Sequence, residues 1–172
     1  MVDIRQATAL DIPLIKACDL LCFPEEDPWD YSLYKDFIDF WPRLVFVAQD
    51  HGGTGCIVGF VFAHMEGEGT KRHGYIANLG VHPAHRKLGI AKKLMKAVQD
   101  ALVQEYRPEY VCLHVRISNQ AAINLYIEKL GYNCEIEAKF YDDGGDAYVM
   151  RKQLPEEQPD LLMAVDSCDG YW

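Results

Sequence analysis

The residues best arranged for chemistry are Arg86-Lys87-Leu88-Gly89-Ile90-Ala91. They lie between a strand-like run, Tyr75-Ile76-Ala77-Asn78-Leu79-Gly80-Val81, and a helical pattern over 92–104 with apolar residues at Leu94, Met95, Val98, Ala101 and Leu102. A strand, a short basic turn and a helix start make an anion site. The first N–H groups of a helix have no internal partner and carry partial positive charge, so they suit a phosphate or pyrophosphate. Gly89 lets the backbone approach such a ligand, and Arg86 and Lys87 add charge. An ordinary helix start with solvated basic residues would use the same residue types and stays open on spacing alone. The metal-ligating and nucleophilic residues are dispersed. Cys18, Cys22, Cys56, Cys112, Cys134 and Cys168 sit in apolar patterns with no Cys-x-x-Cys pair and read as buried thiols, Cys18 and Cys22 sharing one helix face. His82 and His85 flank Pro83 in a turn, and no metal set is expected.

The elements that must position this loop follow from periodicity. Strands are expected over 1–7, 44–48, 56–65, 75–81, 110–116, 132–139 and 147–153, with Gly59 marking a bulge. Helices are expected over 9–22, with Pro13 in the first turn, over 30–40 behind an Asp30 cap, over 92–104, and from Ser118-Asn119 to a stop at Gly131. The order β-α-α-β-β-β-α-β-α-β-β is an α/β arrangement. With 172 residues, 49% of them hydrophobic, the chain can build one core. A net charge of −9 argues against nucleic acid as a partner. No run is long enough to span a membrane, and residues 1–5 lack signal-peptide features, so a cytoplasmic or nuclear protein is expected. Residues 155–172 contain Glu156, Glu157, Asp160, Asp166 and Asp169 with no Lys or Arg, and are expected to be an acidic disordered tail beside a domain of residues 1–154.

Arg86-x-x-Gly89-x-Ala91 resembles the coenzyme A pyrophosphate loop of the GCN5-related N-acetyltransferases, and the element order is similar to theirs. Leu113-His114-Val115-Arg116-Ile117-Ser118-Asn119, followed by Tyr126, resembles the family's second coenzyme segment and narrows the likeness to the protein N-terminal acetyltransferases. Leu20-Leu21-Cys22-Phe23-Pro24-Glu25, Trp41-Pro42, Tyr141-x-Asp143-Gly144 and Asp146-Ala147-Tyr148-x-Met150 are similar to the A-type catalytic subunits. Tyr75-Ile76-x-x-Leu79-Gly80 and His114-Val115-x-Ile117-Ser118-Asn119 also resemble the E-type, Met-directed relatives. Glu25 favours the A-type, because the E-type has an apolar residue there.

The resemblance implies a mixed sheet of about seven strands flanked by four helices, and acetyl-coenzyme A as cosubstrate with no metal. Backbone of Leu79, Gly80 and Val81 would hold the acetyl carbonyl and pantetheine where the fourth and fifth strands splay. Arg86, Lys87, Leu88, Gly89, Ile90 and Ala91 would hold the pyrophosphate, and Asn119 the pantetheine or adenylate side. Tyr75 and His114 would act as base through a water on an α-amine, whose pKa is about 7.7–8.0. Tyr126 would protonate the departing thiolate. Phe23, Pro24 and Glu25 would cover the substrate N-terminus, with Glu25 handling position or a proton, and Ala77, Phe140 and Tyr141 would complete the peptide site. Further implied are polypeptide N-termini as acceptors (small first residues in a complex, acidic ones alone), a large helical-repeat auxiliary subunit, and through it the ribosome. The first two helices would dock that subunit; exposed apolar residues among Leu33, Phe37, Ile38 and Phe40 would support it, although a core-facing stripe explains the same residues more simply. Met-starting N-termini or lysine side chains as acceptors, and a non-catalytic acetyl-coenzyme A scaffold, remain alternative readings. A covalent route through Cys112 is the chemical rival to direct transfer.

Overall fold

The apolar runs at 45–48 and 57–65 are continuous rather than alternating, which demands cover on both faces of a sheet. The computed structural model, which describes residues 1–53, 55–137, 140–141 and 143–154, supplies that cover. Strands β1 (Val2–Gln6), β2 (Val45–Asp50), β3 (Ile57–Glu66), β4 (His73–Val81), β5 (Tyr110–Arg116), β6 (Asn133–Glu137) and β7 (Ala147–Gln153) form one sheet in the order β1-β2-β3-β4-β5-β7-β6. Only β4 and β5 run parallel. Helices α1 (Ile12–Cys22) and α2 (Tyr31–Phe40) cover one face, with Ile15, Tyr34, Phe60 and Phe62 in a shared core. On the other face, α3 (Ile90–Tyr106) and α4 (Gln120–Asn124) pack Leu94, Val98, Leu102 and Ile123 against Val61, Val111 and Leu113. The mixed seven-stranded sheet and four helices are those expected.

Chain entry to α1 is fixed by short-range polar contacts. Thr8 N–H donates to Asp11 Oδ2 at 2.8 Å, and the Arg5 guanidinium grips both Asp11 oxygens at 2.8 Å each. Pro13 occupies the first turn, where its missing N–H costs nothing. The bulge expected at Gly59 is present: the β2–β3 register slips so that Val58 has no partner, and a Cβ on Gly59 would stand 3.1 Å from Leu94 and 3.2 Å from Ile90 of α3.

Several boundaries move. α3 begins at Ile90, two residues before the expected 92, because Gly89 is left-handed at φ 79 and starts the helix directly. α4 is followed by a π turn over Leu125–Lys129, so the expected single α-helix is an α-π composite ended at Gly131, φ 72. β6 covers Asn133–Glu137 of the expected 132–139. Cys18, Cys22 and Cys112 are buried, but Cys56 and Cys134 are exposed: one ends the hairpin loop before β3, and the other lies on β6, the sheet's open edge. Cys168 and the whole 155–172 segment lie outside the described residues. Among the described residues no helix is long and apolar enough to cross a membrane.

Candidate active site

The parallel pairing of β4 and β5 is brief. Only Gly74↔Val111 and Tyr75↔Cys112 face each other, after which β4 follows β3 and β5 follows β7. The divergence begins where β4 bulges: Ala63 pairs with Ile76 and Phe62 with Asn78, leaving Ala77 unmatched. Backbone groups that a neighbouring strand would have satisfied are thereby left for a ligand. A cavity of about 260 Å³ opens in the gap. Its walls carry Ala77, Leu79, His114, Asn119, Tyr126, Phe23 and Tyr141 of the expected residues. Asn119 also caps α4, its Oδ1 accepting from Ala122 N–H at 3.2 Å.

Tyr75 and His114 meet. Their Oη and Nδ1 share a hydrogen bond of 2.8 Å, the cross-strand consequence of Tyr75 lying opposite Cys112, two residues from His114 on the same strand face. The His114 ring stacks on Phe140, 3.8 Å between centroids, and Phe140 meets Tyr141 edge-on at 5.0 Å. Tyr126 is only 6% exposed, and burial, with Tyr141 adding to it, pushes its phenol above the ordinary value. It therefore keeps its proton throughout the neutral range and can donate it. Burial likewise pushes the Cys112 thiol up to about 11, which leaves it protonated and a poor nucleophile.

The basic loop has a more structural build than its residue types suggest. Lys87 (φ 63) and Gly89 (φ 79) are both left-handed on either side of Leu88, and the position beside Gly89 is open space. Leu88 is exposed, and Ile90 is buried in the α3 core, so its contribution to a ligand is its backbone. Ala91 lies half-buried in the first turn of α3. Arg86 is not a free cation. Its Nε donates to the Val81 carbonyl at 3.1 Å and its Nη2 to the Cys22 carbonyl at 3.3 Å, tying the loop to the ends of β4 and α1. Gly80 also has a packing reason: a Cβ there would lie 2.6 Å from the Phe60 ring and 3.1 Å from Cys22 Sγ.

At the loop after α1 the cavity wall differs from expectation by one residue. Glu25 and Pro24 are exposed and off the cavity wall, while Glu26 and Asp27 line it. Glu26 Oε1 accepts from Arg116 Nε at 3.4 Å, Arg116 Nη1 donates to Asp143 Oδ2 at 3.0 Å, and the guanidinium lies 3.9 Å over the Tyr141 ring. Arg116 thus joins the loop after α1 to the loop before β7 across the cavity. Sequence reasoning used Arg116 only as a motif letter. Asp19, Trp29 and Asn78 also line the cavity and were missed.

A splayed parallel pair, a basic turn at the start of α3 and a protonated phenol on the cavity wall together fit a thioester cosubstrate with a pyrophosphate arm. Residues 14–132 match the model of the acetyltransferase (GNAT) family. The chain belongs to that family. It is 52% identical over 159 residues, 92% of this chain and 81% of the relative, to the N-terminal acetyltransferase A complex catalytic subunit NAA10 of Arabidopsis thaliana. To the N-alpha-acetyltransferase daf-31 of Caenorhabditis elegans it is 41% identical, over 89% of this chain and 83% of that one. A chain of the NatC complex, crystallised with Gag peptide and CoA, superposes with a TM-score of 0.78 at 27% identity, covering 90% of this chain and 99% of that one. Chaetomium thermophilum Naa20 in complex with a bisubstrate analogue gives 0.78 at 25% identity, covering 88% and 86%. As a GNAT acetyltransferase the chain is an acyltransferase with acetyl-coenzyme A as its cosubstrate.

Proposed function

We propose that this chain is the catalytic subunit of an A-type N-terminal acetyltransferase, moving acetyl from acetyl-coenzyme A to polypeptide α-amino groups by direct attack in a ternary complex. The observation that carries the reading is the cavity between β4 and β5, with His114 and Tyr126 on its wall and Tyr75 bonded behind His114. Transfer requires a neutral amine, a polarised carbonyl and a protonated leaving thiolate. The Tyr75–His114 pair takes the amine's proton through a water. On the β5 side of β4 the N–H groups of Leu79 and Val81 polarise the carbonyl and align pantetheine, Gly80 between them turns its N–H toward β3, and Tyr126 gives its proton to the thiolate. The turn of Arg86 to Ala91 and the start of α3 neutralise the pyrophosphate, with Arg86 shaping the turn as much as adding charge. Phe23, Ala77, Phe140 and Tyr141 position the peptide. Glu25 reaches the acceptor only if its loop closes; Glu26 is the carboxylate already at the wall.

The α1–α2 surface supports a partner subunit. Leu10, Leu14 and Leu21 of the α1 region and Tyr31, Leu33 and Phe40 of α2 are exposed, Leu10 at 90% and Phe40 at 74%. Phe37 and Ile38 face the core, in keeping with the simpler explanation for that stripe. A large helical auxiliary subunit, bringing the chain to the cytoplasmic ribosome, fits a surface built on two helices. The purified chain, alone and with such a subunit, should be assayed on Ser-, Ala-, Glu- and Met-Leu-starting peptides. Acetylation of acidic starts by the chain alone and of Ser and Ala starts in the complex is expected. A preference for Met-Leu would favour the E-type reading, for which the Tyr75–His114 bond is the specific observation.

A further inference from the structure

α1 turns Ile12, Ile15, Cys18 and Cys22 to the core, and the same face carries a carboxylate, Asp19, which is 4% exposed. Its two hydrogen bonds fall on one oxygen: the Tyr34 hydroxyl and Asn78 Nδ2, the latter at 3.5 Å, both donate to Oδ2. Both donors are neutral, and among the described residues no Lys, Arg or His pairs with Asp19. A buried carboxylate in that position is costly, and burial together with nearby Glu26 raises its pKa. Asp19 also lines the cavity between β4 and β5, beside Asn78, the residue that follows the β4 bulge. Around it the cavity holds two further acids, Glu26 and Asp27, and one guanidinium, Arg116, already committed to Glu26, Asp143 and Tyr141. The inner wall therefore carries more carboxyl groups than cations, in a space that opens to a ligand.

We propose that Asp19 is the counter-ion for the acceptor's α-ammonium group, receiving the cationic N-terminus before its proton is removed at Tyr75 and His114. This rests on the α-amine reading above. An acceptor enters as a cation at neutral pH, because its α-amine is mostly protonated below a pKa of about 7.7–8.0. A charge-assisted hydrogen bond to a carboxylate held in low dielectric is the strongest way to seat it. Asp19 itself forms and breaks no covalent bond; the ammonium proton leaves through the neighbouring pair, and the neutral amine attacks.

The test compares binding of a Ser-starting peptide with its des-amino twin, identical but lacking the α-amino group, to the chain loaded with coenzyme A. The unaltered chain is expected to prefer the amino peptide by about tenfold or more. Asp19→Asn should abolish that preference, raise the peptide KM, and leave the acetyl-coenzyme A KM unchanged. Removing an uncompensated buried charge should also leave the melting temperature unchanged or higher. Tyr34→Phe, which removes a donor but keeps the charge, should retain the preference, and Asp19→Ser repeats the test should the Asn variant not fold. Retained preference in either Asp19 variant, or a loss of cosubstrate affinity matching that of peptide, would overturn the assignment. If the unaltered chain acetylates α-amines yet binds both twins equally, Asp19 has no such role and the functional reading stands; if it acetylates no α-amine, that reading falls first.

Discussion

Tyr126 shows most clearly what a single residue contributes. It sits in the core at 6% exposure, where a phenylalanine would pack as well, and among the described residues its hydroxyl makes no hydrogen bond. The hydroxyl has a purpose only if the cavity uses it. Tyr126→Phe should lower kcat about 100-fold while leaving the acetyl-coenzyme A KM and the melting temperature unchanged, read from steady-state kinetics and thermal melts. A fall in stability with kcat unchanged would make it a packing residue. At this scale the sequence was informative about residue type and poor about orientation. Tyr75 and His114 are 39 positions apart, and only the parallel register Tyr75↔Cys112 brings them to one face. Glu25 and Glu26 are neighbours in an irregular loop, where no period decides which turns inward. Asp19, by contrast, falls on the spacing of Ile12, Ile15 and Cys22, so its place among apolar residues was readable before its cavity was visible.

Elements were legible wherever periodicity was strong. Alternating or continuous apolar runs located all seven strands, and the 3.6-residue stripe located the helices. The π turn after α4 left no trace, because widening one turn barely disturbs an apolar stripe. The β4 bulge is equally silent: Ala77 looks like any strand residue, and its lack of a partner depends on β3. How β4 begins is decided by Gly74, where a Cβ would stand 2.9 and 3.1 Å from the two methyls of Leu102, a fully buried residue of α3. Gly74→Ala should cost about 1–3 kcal/mol in chemical denaturation, since Leu102 has nowhere to retreat in a close-packed core. Because Gly74 and Tyr75 supply the only parallel pairs of β4 with β5, the same variant should also raise the acetyl-coenzyme A KM. Unchanged stability would mean that the layer between α3 and the sheet is looser than its burial implies.

At the scale of the molecule, one parallel pair in an otherwise antiparallel sheet organises the function. β4 and β5 end on the same side, so the basic turn before α3 and the Asn119 cap of α4 follow their carboxyl ends together, as ligand sites do in open α/β sheets. The loops after α1 and before β7 close the same opening through Arg116. The basic turn between a strand and a helix was visible as spacing, but its convergence with the Asn119 cap and Arg116 was not. The order of elements was readable, but the sheet order β1-β2-β3-β4-β5-β7-β6, with β7 inserted between β5 and β6, depends on contacts between distant segments. The resemblance carried by Arg86-x-x-Gly89-x-Ala91 and Asn119 supplied the architecture that periodicity could not. The most direct test of the whole account is to incubate the purified chain with acetyl-coenzyme A and a Ser-starting peptide containing one internal Lys, beside the same peptide with a blocked N-terminus, and locate the acetyl group by tandem mass spectrometry. The account predicts acetyl on the α-amine of the first peptide and none on the second. Acetyl on the Lys of the blocked peptide at a comparable rate would contradict it.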